Sequence, residues 1–330
     1  MKRVVYSGIE GRSLGYWSMM GVLALFILLA AGSFLYMEHS GHHVTGMNNQ
    51  IVWGIPHVFA IFLIVAASGA LNVASISSVF NQSIYKPMAR MSAILALTLL
   101  AGGLVVLLLD LGRADRLIVA ITTYNFKSIF AWNIMLYTGF FVIVLTYLWT
   151  MFDPAMHKHT RKAGTAAFIW RLVLTTGTGS IFGFLSARQG YDAAIMAPMF
   201  IIMSFAFGKA FFLILLLGIY NLTNRSISAD LIERLKNLFG VFVAAVLYFA
   251  VVFHITNLYA AEHADYESFI LVNGGIYTAI FWIGQVLIGG VIPLILLYSP
   301  MFAHSVKSIV TASISDRWWV CEYLWDCSRW

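Results

Sequence analysis

Eight apolar runs, each long enough to cross a bilayer, decide which folds are open to this protein. Their limits are about 16–37, 51–80, 88–109, 128–152, 164–186, 195–221, 237–260 and 270–299. A spanning helix needs roughly 20 apolar residues. In lipid only helices and closed barrels satisfy every backbone N–H and C=O, and the runs lack the alternation of a barrel strand. The expectation is an all-α integral membrane protein, a polytopic bundle of about eight transmembrane helices. Composition agrees, with 61% hydrophobic and 10% charged residues, where a soluble domain carries roughly 25% charged. An ordinary soluble enzyme, a disordered chain and a nucleic-acid binder are excluded, despite a net charge of +6. The first run is too long for a signal peptide and no small-residue cleavage site follows it, so it reads as span one.

Loop charge sets the expected orientation. With the N-terminus in the cytoplasm, the inner segments hold eleven Lys and Arg, from Lys2 and Arg3 to Arg234 and Lys236, and the outer ones hold four. The four are Arg113, Arg116, Lys127 and Arg188, and they oppose the usual bias. The only cysteines, Cys321 and Cys327, lie in the last ten residues. Four thiolates are the usual requirement of an iron–sulfur cluster, and no Cys-x-x-Cys-His haem attachment site exists. The protein is therefore expected to have no cluster, covalent haem or disulfide scaffold of its own. Two regions are expected: a transmembrane helical domain over 1–314, and an atypical Trp- and Cys-containing tail over 315–330. That tail reads either as an interfacial segment or as a truncated, frame-shifted end.

Ionisable residues at membrane depth are costly, so each one is a functional candidate. Span two carries His57 near its outer start. Ser68, Asn72 and Ser75 return to within roughly 60° of it at about 100° per residue. For Ser68 and Ser75 helix packing is the preferred account; for His57 function is preferred, because packing needs no imidazole. Asp110 ends span three with Arg113 three residues later, which also fits a plain ion pair at a helix end. His254 lies 17 residues beyond Asn237, about 25 Å along span seven, and so falls in the outer leaflet with His57, Asp110 and Arg188. Lys209 lies near the midplane of span six, where insertion costs roughly 3 kcal/mol. It serves either a proton path or a structural bond. Gly179 and Gly183 form a G-x-x-x-G pair for close helix approach, and Arg171 near the inner end is placed to snorkel.

The stretches GMNNQIVWGIPHVFAIFLIVAASGALN, LLLDLGRADR followed by NFKSIFAWN, and RLVLTTGTGSIFGFLSAR resemble the NrfD/PsrC family. These are the membrane subunits of molybdopterin and related respiratory complexes that exchange electrons with quinone. Within it, WGIPH and FHITNLY look most like the longer branch that holds the HybB and DsrP proteins, the latter from a sulfur-metabolism complex. That branch has ten spans, which favours a truncated end here. The resemblance implies a bacterial inner-membrane protein with a quinone or quinol pocket, for menaquinone or ubiquinone, near the outer face. His57 and Asp110 stand at the quinone- and proton-ligand positions. It also implies an extracytoplasmic iron–sulfur partner and further membrane or cytochrome subunits. Arg113, Arg116 and Lys127 would then be a docking surface or pocket rim, with Arg188 and His254 as further pocket candidates.

Two other readings stand beside this one. His57 and His254 could ligate a b-type haem. Alternatively, Lys209 and the outer polar groups could line the path of a transporter, although no internal repeat is evident.

Overall fold

The computed structural model describes residues 14–48, 53–111, 116–185, 190–222 and 227–299. In order the helices are α1 (Leu14–Ser40), α2 (Ile55–Ala70), α3 (Asn72–Ser78), α4 (Lys86–Leu109) and the short α5 (Leu117–Thr122). They continue as α6 (Ile129–Phe152), α7 (Thr160–Gly183), α8 (Met196–Leu222), α9 (Ala229–Tyr259) and α10 (Ala264–Ser268). The last membrane-length segment joins α11 (Ile276–Ala279), a π-helical stretch Ile280–Val291 and α12 (Ile292–Tyr298). Among the described residues, seven segments are long and apolar enough to span. The eighth expected run is α7, whose 24 residues match α6 in length. Its Thr, Gly and Arg residues lower its hydropathy, and it packs between α6 and α8.

The α2 helix is the centre of the bundle: 11 of its 16 residues are buried. A helix apolar on every side must be surrounded, and α4, α7 and α8 surround this one. The tightest crossing is between α2 and α8. A Cβ on Gly69 would fall on the Ser204 carbonyl, and one on Gly208 would fall on the Gly69–Ala70 backbone. Hydrogen therefore sets the distance between these two helices. Gly179 and Gly183 play the packing part expected of them, meeting the backbone of Met196–Ala197 and of Ala193 at the start of α8.

The join between α2 and α3 has a specific cause. In an unbroken helix Ala74 N–H would donate to the Ala70 carbonyl. Here it donates to Ser92 Oγ of α4 at 3.1 Å, and that hydroxyl donates to Ala70 O at 2.6 Å. A side chain inserted into the backbone ladder bends a helix while leaving both groups satisfied.

A second apolar cluster joins α9 and α12 to α8 through Phe239, Val243, Leu297, Phe212 and Leu216. The α1 helix buries none of its residues, and the turn that follows it brings His42 to Asp110.

Arg171 departs from expectation. It does not snorkel, because α7 begins at Thr160 and Arg171 lies halfway along it. The side chain is fully buried between the Phe168 and Phe205 rings, and its Nη1 donates to Ser68 O at 3.2 Å. Ser68 Oγ accepts from Thr175 Oγ1 at 2.6 Å, the interhelix bonding that packing requires.

Candidate functional site

His57 stands in the first turn of α2, where Pro56 starts the helix after an extended Gly54. Asp110 caps the last turn of α4, which runs antiparallel beside it. The two side chains meet: His57 Nδ1 is ion-paired with Asp110 Oδ2. Asp110 is 1% exposed. A buried carboxylate is tolerated only with a partner, and lipid excludes water as the substitute.

A second histidine reaches the same carboxylate. His42 Nδ1 lies 4.0 Å from Asp110 Oδ1, and its Nε2 lies 3.7 Å from Glu38 Oε1. The Asp110 side chain is fully buried, His42 is 17% exposed and Glu38 is 50% exposed. Exposure thus rises along the series Asp110, His42, Glu38. The short turn His42–Thr45 carries His42 inward, and it is framed by Gly41 and Gly46 at φ 90 and 86. Those left-handed conformations suit glycine. Gly54 supports the turn from beneath, since a Cβ there would meet Thr45 Oγ1 at 2.6 Å.

An aromatic wall backs His57. Trp53 stacks on its ring with centroids 6.4 Å apart, and Phe130 and Phe182 meet Trp53 edge-on at 6.3 and 5.5 Å. Tyr191 continues the row at 5.4 Å from Phe182. With Nδ1 turned to Asp110, Nε2 is the ring atom left to a ligand. A planar headgroup with hydrogen-bonding oxygens fits such a place: stacking surface on one side, an imidazole and a carboxylate at the edge.

Of the other expected residues, His254 belongs to a different cluster. Its Nδ1 is 2.8 Å from Glu267 Oε2, and Asn257 Nδ2 donates to Glu267 Oε1 at 2.9 Å. Phe281 packs edge-on against the His254 ring at 4.8 Å. Among the described members of the expected group, His57 is paired with Asp110 and His254 with Glu267. Gln285, one π-turn beyond Phe281, is buried with neither amide atom hydrogen-bonded among the described residues. Lys209 is 1% exposed in α8, its Nζ 5.8 Å from the Phe212 ring and without a hydrogen-bond partner among the described residues. Arg116 and Lys127 are exposed. Arg113 and Arg188 lie outside the described residues, as does the tail 315–330. Among the described residues, no three His, Cys, Asp or Glu side chains converge closely enough to hold a metal ion.

Glu38, His42, Trp53 and Glu267 are the site residues that the sequence reading passed over. The available signal was the histidine-rich EHSGHH after the first span.

A family model described as polysulphide reductase, NrfD, matches residues 43–325. The chain belongs to the NrfD family. Among its NrfD relatives, the Hdr-like menaquinol oxidoreductase integral membrane subunit of Archaeoglobus fulgidus is 29% identical, covering 94% of this chain and 78% of its own. A membrane subunit of dimethyl sulfoxide reductase, so named provisionally, from Halobacterium salinarum is 25% identical, over 89% of this chain and 72% of its own. A polysulfide reductase chain of Wolinella succinogenes is 23% identical, over 78% and 86%. This NrfD protein is thus a multi-pass membrane protein, similar to subunits of oxidoreductases, one of them a menaquinol oxidoreductase.

Proposed function

We propose that this NrfD protein exchanges electrons with the membrane quinone pool as one subunit of a larger redox complex, and that the exchange occurs beside His57 and Asp110. The observation that carries this reading is the pairing of half-buried His57 with the fully buried Asp110, and a graded series, His42 then Glu38, leading away from it. Oxidation of a quinol releases two electrons and two protons. His57 Nε2 binds one oxygen of the headgroup and accepts its proton, Asp110 stabilises the imidazolium that results and relays the proton to His42, Glu38 passes it to water, and the second proton follows the same series once the first has left. Quinone reduction runs the same series backwards. Trp53, backed by the buried Phe182, holds the ring plane. The electrons leave to an iron–sulfur partner, since no redox group of the protein itself is part of the proposal.

The finer points rest on the sequence resemblance and the relatives' names. The protein sits in the bacterial inner membrane with its N-terminus inside, so that the His57 end faces outward. The quinone is menaquinone, as in the name of the Archaeoglobus relative, with ubiquinone as the alternative. The partners are an extracytoplasmic iron–sulfur subunit, docked along Arg113, Arg116 and Lys127, and further membrane or cytochrome subunits. The complex serves sulfur chemistry in the manner of the DsrP branch. Arg188 lies near the pocket. His254 with Glu267 forms a second proton-carrying pair, and Lys209 serves a proton path within the bundle.

The test is quinol oxidation and quinone-analogue binding by the assembled complex. His57→Ala should weaken both without preventing membrane insertion. Normal binding and turnover in His57→Ala and Asp110→Asn together would place the pocket elsewhere. A haem absorption band on the purified protein would instead favour a cytochrome subunit.

A further inference from the structure

At the end of the bundle opposite His57 the structure holds a cavity of about 320 Å³, between the α3–α4 and α6–α7 connections. Lys86, Arg90 and Arg161 line it with His157, Asn81 and Ser78, and no Asp or Glu does. Among the described residues, Lys86 and Arg161 take part in none of the ion pairs, which lie elsewhere. The nearest carboxylate in sequence, Asp153, is engaged with the Ala155 amide at 2.9 Å.

The cavity is built. Arg90 is held by a donated bond from Nη2 to Met151 O at 2.6 Å and by the Phe152 ring, 4.8 Å from its guanidinium carbon. His157 Nδ1 is fixed 3.0 Å from Thr150 O. Asn81 adopts φ 54 at the turn that closes one side, a conformation asparagine tolerates better than most residues. Like charges gathered around a cavity with no acidic lining repel one another, and a bound anion relieves that repulsion.

The surroundings narrow the anion. Phe80, Trp149 and Phe152, next to the cavity in sequence, are 58%, 57% and 54% exposed. Exposed Trp149 at the end of a spanning helix marks the level of lipid headgroups, the exposed Phe80 and Phe152 rings offer apolar surface beside it, and basic pockets between spanning helices suit phosphate headgroups. We propose that this cavity binds the headgroup phosphate of an anionic phospholipid, with Lys86, Arg90 and Arg161 as its cationic partners and the acyl chains lying along the exposed aromatic rings. The site is independent of the quinone reading, since it joins different helix ends. Bound lipid would tie the two connections together.

The test uses the full-length protein purified in a zwitterionic detergent. Native mass spectrometry compares retention of phosphatidylglycerol and phosphatidylcholine with the same acyl chains, and melting is followed with each lipid and with inorganic phosphate. Wild type should retain phosphatidylglycerol roughly tenfold better. Lys86→Gln with Arg161→Gln should lose that preference while keeping the melting temperature it has in phosphatidylcholine. Lys158→Gln with Lys162→Gln, on neighbouring residues that do not line the cavity, should keep it. Equal retention of both lipids by wild type would overturn the proposal, and this arm needs no variant to fold. An unchanged preference after Lys86→Gln with Arg161→Gln would also overturn it, as would a preference lost equally in the Lys158/Lys162 pair. Stabilisation by inorganic phosphate equal to that by phosphatidylglycerol would overturn the lipid assignment in favour of free phosphate.

Discussion

Asp110 is the residue on which the proposed chemistry turns, because two histidines address one fully buried carboxylate. An amide in its place keeps the shape and cannot stabilise an imidazolium. Asp110→Asn should lower quinol turnover by about a hundredfold, within the range of a lost proton-transfer group, while quinone-analogue affinity changes about threefold at most. Glu38 is the outermost member of the series. Glu38→Gln should slow turnover severalfold at low buffer concentration, about fivefold, with recovery on adding imidazole as a mobile base; turnover measured across buffer concentrations decides this. Lys209 offers a contrast. The structural bond open to it on sequence grounds has no counterpart among the described residues, and an unpartnered cation in the bundle interior is expensive. Lys209→Met should therefore leave thermal stability equal or higher and impair proton coupling in liposomes; wild-type coupling in a folded variant would remove it from the path. His57 and Asp110 were legible in the sequence because lipid penalises each one separately. His42 and Glu38 were not, because they sit at and just beyond the end of a different helix and resemble an ordinary polar helix end and loop.

At the scale of elements, the join of α2 and α3 depends on one hydroxyl from a neighbour. Removing it leaves the Ala70 carbonyl and the Ala74 amide without their bridge. Ser92→Ala should cost about 1–3 kcal/mol, the penalty of unpaired buried groups, read as a lowered unfolding midpoint in micelles. The sequence marked this segment as a single run of 51–80, since hydropathy reports what a residue is and not which hydroxyl enters its ladder. The α9 boundary shows the same limit from the other side. The helix begins at Ala229, well before the apolar run at 237, because ADLIERLK is a good helical sequence with a charged, solvent-facing surface. The α1 helix matters to the site despite burying nothing, because its C-terminal end supplies Glu38 and leads into the turn that carries His42.

For the whole molecule, the two ends of the bundle differ in chemistry. One holds the His57–Asp110 pair with exposed Arg116 and Lys127 nearby in sequence, and the other holds the basic cavity. If the first end is where a redox partner docks, Arg116→Glu with Lys127→Glu should weaken partner binding about tenfold at low salt and far less at high salt, since screening shortens the reach of surface charge. Binding titrations at two ionic strengths check this. Unchanged affinity at both would move the docking surface away from these residues.

The sequence by itself determined the class of the molecule and the approximate position of each membrane-length segment along it. Lipid permits so few backbone solutions that apolar length is nearly sufficient. It also marked the costly residues, because a histidine, lysine or aspartate within an apolar run stands out whatever surrounds it. Partner choice was decided only in three dimensions. His57 and His254 look alike in sequence, each a lone imidazole near a helix end, yet one is paired with Asp110 and the other with Glu267. Hydropathy orders residues along the helix axis and says nothing of their place across the bundle. That lateral order comes from backbone contact at Gly69 and Gly208, from the Ser92 insertion, and from a glycine-framed turn that brings His42 to Asp110.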